Sequence, residues 1–476
     1  MNMKFCAAID LGASSGRVAV GSLEQDSSNR GKLVIKEVHR FKIDVNENLD
    51  LGLRWNWSKI VEEVKTGLLK AQELGEIISI GIDTWAVDYG LIDSQGELIE
   101  DPYCYRDGRT DGLMQSIAAS IGAEYIYSRT GTQFIFFNTA YQLYAARETP
   151  ALKSASTFLM LPDLLNFVFC GVQSNDVTNA STTQLLNAHT GDWDWELIEK
   201  LEIPKSVFPP LHKPGYTVGS INGHGSLDGI AVVAVGSHDT ASAVAGIPLA
   251  PTRDSAYISS GTWSLVGLEL DSPVTDETAR AFNITNEAGV ADRIRFIKNV
   301  SGMWLLEESV KYWKEQGITT TPAELARDAA ALPRKQIIDT NDPRFAKPGA
   351  MPERIAQYCA ETNQSVPTTP AEFARCIFDS LAVAYAKSLS ELIQASGRTV
   401  REINIVGGGS SNQLLNQLTA DETGIPVVAG PVEATVMGNL IIQMMSAGMI
   451  ATLEEGRELI ARSIERKTFI PTSAKV

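Results

Sequence analysis

The sequence predicts an α/β protein built in two halves, and three observations carry that expectation. Apolar strand-like runs alternate with helical segments along the chain, the pattern that lays helices on the faces of a largely parallel sheet. An apolar strand, a tight Gly/Ser/Thr turn and a second apolar strand occur at 6–23 and again at 256–270. The length of 476 residues exceeds what one hydrophobic core usually serves. Two hairpins in a long α/β chain can look alike by chance. Standing at the head of each half, this pair reads as an internal duplication. It places a boundary near 244–251 and domains at 1–245 and 246–476.

Each element has a local cause. Residues 5–10 are apolar and end in Asp10, 11–16 are small and polar, 17–23 are strand-like again, and 32–41 alternate as a further strand. Segment 57–74 puts Ile60, Val61, Val64, Leu68 and Leu69 on one helical face, and Gly75 supplies the stop. A buried strand at 77–83 ends in Asp83, and another strand at 87–92 runs into the turn Ser94-Gln95-Gly96. In the centre, 231–236 is a buried strand, and 256–259 leads through Ser260, Gly261 and Thr262 into 263–270. The second half is more helical. Thr321-Pro322-Ala323-Glu324 and Thr369-Pro370-Ala371-Glu372 are capping boxes with proline in the first turn. The second opens a long helix with Phe373, Ile377, Leu381, Tyr385, Leu389 and Leu392 in one stripe. A strand at 402–406, three glycines at 407–409 and a helix at 412–423 closed by Gly424 follow. The stretch 333–367 carries five prolines and is expected to be irregular.

Composition excludes several classes. Aromatic residues at 7% and charged residues at 21% argue against a disordered or fibrous chain. No apolar run reaches the roughly 18 residues of a membrane span. The first fifteen residues make no signal peptide, because Asp10 interrupts a short apolar run. A formal charge of −16 repels nucleic acid and anionic membranes. An anionic ligand must therefore be held by local devices. Five scattered cysteines with no C-x-x-C pair point to reduced thiols and a cytoplasmic protein. His39, His189, His212 and His224 show no metal-ligand spacing. Trp193 and Trp195 read as surface packing.

Five turns carry candidate chemistry. Asp10-Leu11-Gly12-Ala13-Ser14-Ser15-Gly16-Arg17 offers small residues that let backbone N–H groups approach phosphate, two hydroxyls and a fixed charge. Asp10 at the strand end suits a Mg²⁺ held through water. An ordinary Asp-capped hairpin turn has the same local look. Ser259-Ser260-Gly261-Thr262-Trp263-Ser264 is a second such tip, and the two together suggest hairpins facing one polyphosphate. Gly407-Gly408-Gly409-Ser410, between strand and helix, makes a flat backbone surface for a base or phosphate. Ser237-His238-Asp239-Thr240 follows a buried strand, where open α/β sheets present chemistry. Asp239 there suits a proton acceptor for a substrate hydroxyl, or the N-cap of a helix. Asp83 and Trp85 in Gly81-Ile82-Asp83-Thr84-Trp85-Ala86-Val87-Asp88 suit a polyol pocket, with carboxylate on hydroxyls and indole over an apolar sugar face. A core tryptophan with surface aspartates is the plainer alternative.

These pieces, in this order, resemble the carbohydrate kinases that share the actin/hexokinase-type ATPase fold. The likeness spans nearly the whole chain: DLGASSGR at 10–17, GIDTWAVD at 81–88, YRDGRT at 105–110, NTAYQL at 138–143, NASTTQL at 179–185, SHDTASAV at 237–244, SSGTWSL at 259–265, NITNE at 283–287, ARCIFDSL at 374–381, VGGG at 406–409 and AGPVEA at 429–434. The resemblance implies two actin-like (ribonuclease H-like) α/β ATPase domains with an active-site cleft between them. It implies ATP contacts at Ala13, Ser14, Ser15, Gly16, Arg17, Thr262, Glu307 and Gly408. Sugar contacts are implied at Ala86, His238, Asp239, Thr240 and Asn299, beside Asp83 and Trp85, with Asp239 the catalytic base. Ala86 stands where the family usually has Gly, and Glu307 where a Gln is usual. The implied reaction moves the γ-phosphate of Mg²⁺-bound ATP to the C1 hydroxyl of a ketose. L-Rhamnulose is the first expectation and L-fuculose the next. The implied partners are sugar and ATP, with no nucleic acid and no membrane. An actin-like ATPase switch and a sugar-sensing regulator are the rival classes, and sugar-dependent ADP formation separates them from a kinase.

Overall fold

The structure is a computed structural model, and it describes residues 4–25, 31–48, 52–249 and 254–472. Residues 250 and 251 of the expected boundary at 244–251 lie outside the described residues. Two compact units form. The first contains Met1–Pro248, Leu270–Phe296 and Ala434–Ser463, and the second Leu249–Glu269, Ile297–Glu433 and Ile464–Val476.

The first unit is organised by a mixed six-stranded sheet. Its strands are β1 (Lys4–Leu11), β2 (Ser15–Gln25), β3 (Gly31–Lys42), β4 (Glu76–Thr84), β5 (Thr217–Ser220) and β6 (Ala231–Val233), in the order β5-β6-β4-β1-β2-β3. The first three run antiparallel as a meander, while β1, β4 and β6 are parallel neighbours. Helix α1 (Trp57–Gln72) makes the crossover from β3 to β4. It buries Trp57, Ile60, Val64 and Leu68 in the same core as Ile9, Val18, Val20 and Ile82. Gly67 permits the close approach of α1 to the sheet, since a Cβ there would lie 2.4 Å from Val18. Helix α2 (Asp239–Ala245) ends this run of chain.

The second unit repeats the plan. Its sheet is built from β7 (Ser255–Ser260), β8 (Trp263–Leu270), β9 (Ile294–Ser301), β10 (Glu402–Val406), β11 (Val427–Ala429) and β12 (Lys467–Phe469), with one further edge strand beside β9. Neighbours run β9-β8-β7-β10-β11-β12. Strands β7 and β8 are antiparallel, while β7–β10 and β10–β11 are parallel. This is the order β3-β2-β1-β4-β6-β5 over again, with an antiparallel strand closing each series. The repeated hairpin in the sequence is thus the visible part of a repeated sheet. Helix α3 (Trp304–Glu315) follows β9, and α4 (Pro322–Ala330), α5 (Met351–Glu361) and α6 (Pro370–Ser396) precede β10. Both capping boxes are formed, at Thr321/Glu324 and Thr369/Glu372. Helix α7 (Gln413–Thr423) starts from Asn412 as N-cap and stops at Gly424 in the left-handed conformation.

After β11 the chain rejoins the first unit as α8 (Ala434–Ser446) and α9 (Leu453–Ser463). Helix α8 meets α2 backbone to backbone. A Cβ on Gly438 would sit 1.8 Å from the Ser242 carbonyl oxygen, and one on Gly246 2.1 Å from that of Ala434. Only glycines permit this crossing, and it fixes α2 at the sheet edge.

Three local expectations need correction. The proline-rich stretch is not irregular throughout, because Pro352 sits in the first turn of α5, where its missing N–H has no helical partner to lose. The strand expected at 87–92 begins at Tyr89, since Val87 takes a φ of 69°. Trp193 is buried, with its ring against Phe158 and Phe208 and its N–H donating to the Pro209 carbonyl at 3.0 Å, while Trp195 is exposed. Among the described residues, no helix is long and apolar enough to cross a membrane.

Candidate active site

Strand order brings the candidate residues of the first unit to one edge of its sheet. Asp10 at the end of β1 is the register partner of Arg17 on β2 and of Asp83 on β4. Beyond β4, Thr84 bridges to His238, and the Thr84 N–H donates to the Ser237 carbonyl at 2.9 Å. The edge therefore reads Arg17, Asp10, Asp83, His238 and Asp239 across adjacent strands. Arg17 donates to Asp10 Oδ2 from Nε at 2.9 Å and from a terminal nitrogen at 2.7 Å, and lies 3.9 Å from Glu37. The hairpin tip presents Ser14 exposed and Ala13 half-buried. Neither Gly12 nor Gly16 has a positive φ. Gly16 is required by packing instead, because a Cβ there would lie 2.4 Å from the Phe41 ring.

Asp239 is the first residue of α2, with its side chain 31% exposed. Both alternatives for it coincide in part: it lies in the first turn of a helix, but His238 is the N-cap residue. Burial raises the Asp239 carboxyl above the usual range, Asp10 adds to the rise, and His238 and the Thr240 hydroxyl oppose it. Thr240 donates to Asp239 Oδ1 at 3.0 Å, and His238 Nε2 lies 3.5 Å from the same oxygen. The loop is locked from below by Asp176, whose Oδ1 accepts from the Ser237 hydroxyl at 2.9 Å and from the Thr178 amide at 2.9 Å.

Asp83 is fully buried, which pushes its carboxyl well above the ordinary value, with Asp10 adding to the effect. Its Oδ2 accepts from Asn439 at 2.6 Å, while its Oδ1 is buried without a hydrogen bond. Trp85 is 6% exposed and its indole N–H donates to Asp88 at 3.0 Å. Its ring lies 4.4 Å from that of Trp55, whose N–H reaches the same Asp88 oxygen at 2.7 Å. Asp88 is buried rather than a surface group, and also accepts from the Tyr105 amide at 3.2 Å and Gln142 at 3.1 Å. Burial still raises its carboxyl to about 6, against those four donors. Ala86 tolerates its methyl because the positive φ falls on Val87.

The nucleotide candidates of the second unit gather round the β7–β8 tip. The amides of Met303 and Trp304 donate to the carbonyls of Gly261 and Thr262 at 2.9 and 3.2 Å, so the start of α3 caps that tip. The Thr262 hydroxyl donates to Glu307 Oε2 at 3.3 Å, and burial raises the Glu307 carboxyl. Beside the tip, Gly407 has a φ of 78°, and a Cβ on Gly409 would strike the Ser260 hydroxyl at 2.0 Å. Gly408 between them is exposed with open space before it. Asn299 lies half-buried on β9. It belongs to the second unit, unlike Asp83, Trp85, Ala86, His238, Asp239 and Thr240, which belong to the first.

Against known proteins, residues 5–246 match the N-terminal domain of the FGGY family of carbohydrate kinases, and residues 256–447 match its C-terminal domain. The chain belongs to the FGGY family of carbohydrate kinases. This FGGY chain is an ATP-dependent sugar kinase. A rhamnulokinase from Mannheimia succiniciproducens is 44% identical over 468 residues, covering 97% of this chain and 94% of that protein. One from Enterococcus faecalis is 43% identical, covering 97% and 93%. Among solved structures, a Plasmodium falciparum glycerol kinase with ADP superposes with a TM-score of 0.79 at 15% identity, covering 99% of this chain and 94% of that one. A gluconate kinase from Lactobacillus acidophilus gives 0.77 at 17%, with coverage of 99% and 94%. At those identities the likeness is one of fold.

Sequence reasoning missed the second layer of this FGGY site. Ser79 donates to Gln443 at 2.7 Å, Gln443 donates to Asn439 at 2.6 Å and to the Ala7 carbonyl at 3.0 Å, and Asn439 donates to Asp83. The i, i+4 spacing of Asn439 and Gln443 is a signal, since two polar residues share one face of an otherwise apolar helix. Their target, more than 350 residues away, left no local trace.

Proposed function

We propose that the chain phosphorylates L-rhamnulose on its C1 hydroxyl, giving L-rhamnulose 1-phosphate and ADP. The full-length identity to rhamnulokinases carries the choice of sugar. The placement of Asp239 beside His238 at the sheet edge supports its role. Asp239 takes the proton of the C1 hydroxyl as that oxygen bonds to the γ-phosphorus and the bond to the β,γ-bridging oxygen breaks. A raised carboxyl suits this task, because a base works best when its pKa is near the operating pH. Asp83, Trp85, Ala86, His238, Thr240 and Asn299 hold the sugar. The tip at Ala13, Ser14, Ser15 and Gly16 with Arg17, together with Thr262, Glu307 and Gly408, holds ATP. In this reading the domains divide at 245/246 by sequence.

Phosphoryl transfer relies on positioning and electrostatics, and Mg²⁺ supplies charge neutralisation at the phosphates. Among the described residues, no group of three or more His, Cys, Asp or Glu forms a metal cage. Mg²⁺ on a nucleotide needs only one or two carboxylates besides phosphate and water. Asp10, beside the unpartnered buried oxygen of Asp83, fits that requirement.

A coupled ADP-release assay over L-rhamnulose, L-fuculose and D-xylulose tests the substrate. Highest kcat/KM on L-rhamnulose is expected. Preference for L-fuculose would move the assignment to that sugar, and ADP formation indifferent to sugar would leave an ATPase switch.

A further inference from the structure

The first unit contains a cavity of about 560 Å³, and none of the residues lining it is among those proposed above for sugar or ATP. Its volume is in the range of small-molecule sites. Ile99, Ala145, Ala146 and Ala151 give it an apolar wall, while Glu100, Tyr103 and Arg109 give it a charged one.

Tyr103 organises the charged wall. The Arg54 guanidinium stands 3.3 Å from the centre of its ring and that of Arg109 stands 3.6 Å from it. Two guanidinium groups cannot share one face at those distances, so the ring is sandwiched between them. Each stacking is favourable by itself, but two cations then flank one ring, and only one of them is neutralised. Arg54 pairs with Glu100 at 2.9 Å and donates to the Asp101 carbonyl at 2.7 Å. Among the described residues, Arg109 makes no ion pair, and a terminal nitrogen of its guanidinium donates to Gln142 Oε1 at 2.6 Å. Gln142 is held in turn, because its amide nitrogen donates to Asp88 Oδ1 at 3.1 Å and to the Phe137 carbonyl at 2.9 Å. A guanidinium stacked on a ring and tied at one corner has given up its rotamer freedom before a ligand arrives. It keeps unused donors of a rigid fork that matches an oxyanion.

The local charges select the kind of anion. Glu100 lines the same cavity and cancels Arg54, so one positive charge is open, and a second negative charge on the ligand would meet Glu100. A carboxylate places both oxygens on the fork and brings one charge. A phosphate monoester brings nearly two. The apolar wall opposite asks for an apolar body behind the anionic group.

We propose that this cavity is a second ligand site, which takes a small organic monocarboxylate with its carboxylate on Arg109 and its apolar body against Ile99, Ala146 and Ala151.

Calorimetric titration of the full chain with phenylacetate tests this. Phenylacetamide and inorganic phosphate serve as comparison probes, and a non-hydrolysable ATP analogue is kept saturating to occupy the nucleotide site. One phenylacetate should bind per chain with a Kd of about 1 mM or tighter. The uncharged amide and inorganic phosphate should each bind about tenfold more weakly or less. Two variants reach the cavity from different sides. Arg109→Gln removes the charge, and Ala151→Phe fills the apolar end from the half-buried start of the short helix Pro150–Ser154. Each should weaken phenylacetate about tenfold or more, with the ATP analogue bound as in wild type. Absence of saturable phenylacetate binding overturns the proposal, as does equal affinity for acid and amide or tighter binding of phosphate. So does wild-type phenylacetate affinity in Ala151→Phe, even if Arg109→Gln does not fold.

Discussion

At the residue scale, Asp239 and Asp88 are both carboxyls raised by burial, with opposite consequences. Asp239→Asn keeps the shape and removes the proposed base, so kcat should fall about 10²–10⁴-fold with ATP binding retained in calorimetry. Near wild-type turnover would reduce Asp239 to a helix-start residue. Because the carboxyl must be ionised to act, the acid limb of kcat/KM should lie above the ordinary carboxylate range and be absent in the variant. Asp88 contributes to stability in the opposite sense. Its pKa rises from 3.8 to about 6 on folding, so the folded chain binds the proton more tightly. That contribution is full below 3.8 and is lost as pH climbs through about 6. Asp88→Asn should erase this slope from urea-unfolding profiles between those values. It should also destabilise the protein by about 1–3 kcal/mol, because an amide cannot accept from all four donors. An unchanged profile would mean the carboxyl titrates alike in both states. Asp88 also shows where sequence stops short: Asp83, Trp85 and Asp239 stood out by their place at strand ends, but nothing local revealed that two indoles share Asp88.

At the element scale, strand and helix positions were legible wherever local chemistry sets them. The capping boxes, the stripe from Phe373 to Leu392 and the strand at 402–406 are seen as expected, since caps and periodicity are properties of neighbouring residues. Pro352 and Val87 were misread, because composition marks prolines without saying which of them starts a helix, and φ at Val87 is set by tertiary packing. The α2–α8 crossing was illegible for the same reason, as its two glycines are 192 positions apart (246 to 438). Gly438→Ala should lower stability by about 1–3 kcal/mol or more, and should reduce turnover by displacing the start of α2. Unfolding and activity within error of wild type would mean that the helices separate at little cost.

At the scale of the whole molecule, the duplicated hairpin pointed to a duplicated sheet, and six consecutive strands of the seven-stranded second sheet repeat the order of the first. What the hairpins could not reveal is the return of the chain as α8 and α9 to the first unit, which no linear reading of two halves contains. If the proposed sugar residues, mostly in one unit, and the proposed nucleotide residues, in both, hold their ligands, each ligand should tighten the other. The same factor is expected in both orders of calorimetric titration, corresponding to about 1–3 kcal/mol. Independent binding would contradict a shared reacting geometry. The central claim, phosphoryl transfer from ATP to one hydroxyl of one deoxyketose, is tested most directly by phosphorus–proton NMR of the product formed from L-rhamnulose and ATP. One new phosphate ester coupled to the C1 protons is expected, with ADP in equal amount. ADP with inorganic phosphate alone, or an ester at another carbon, would contradict it.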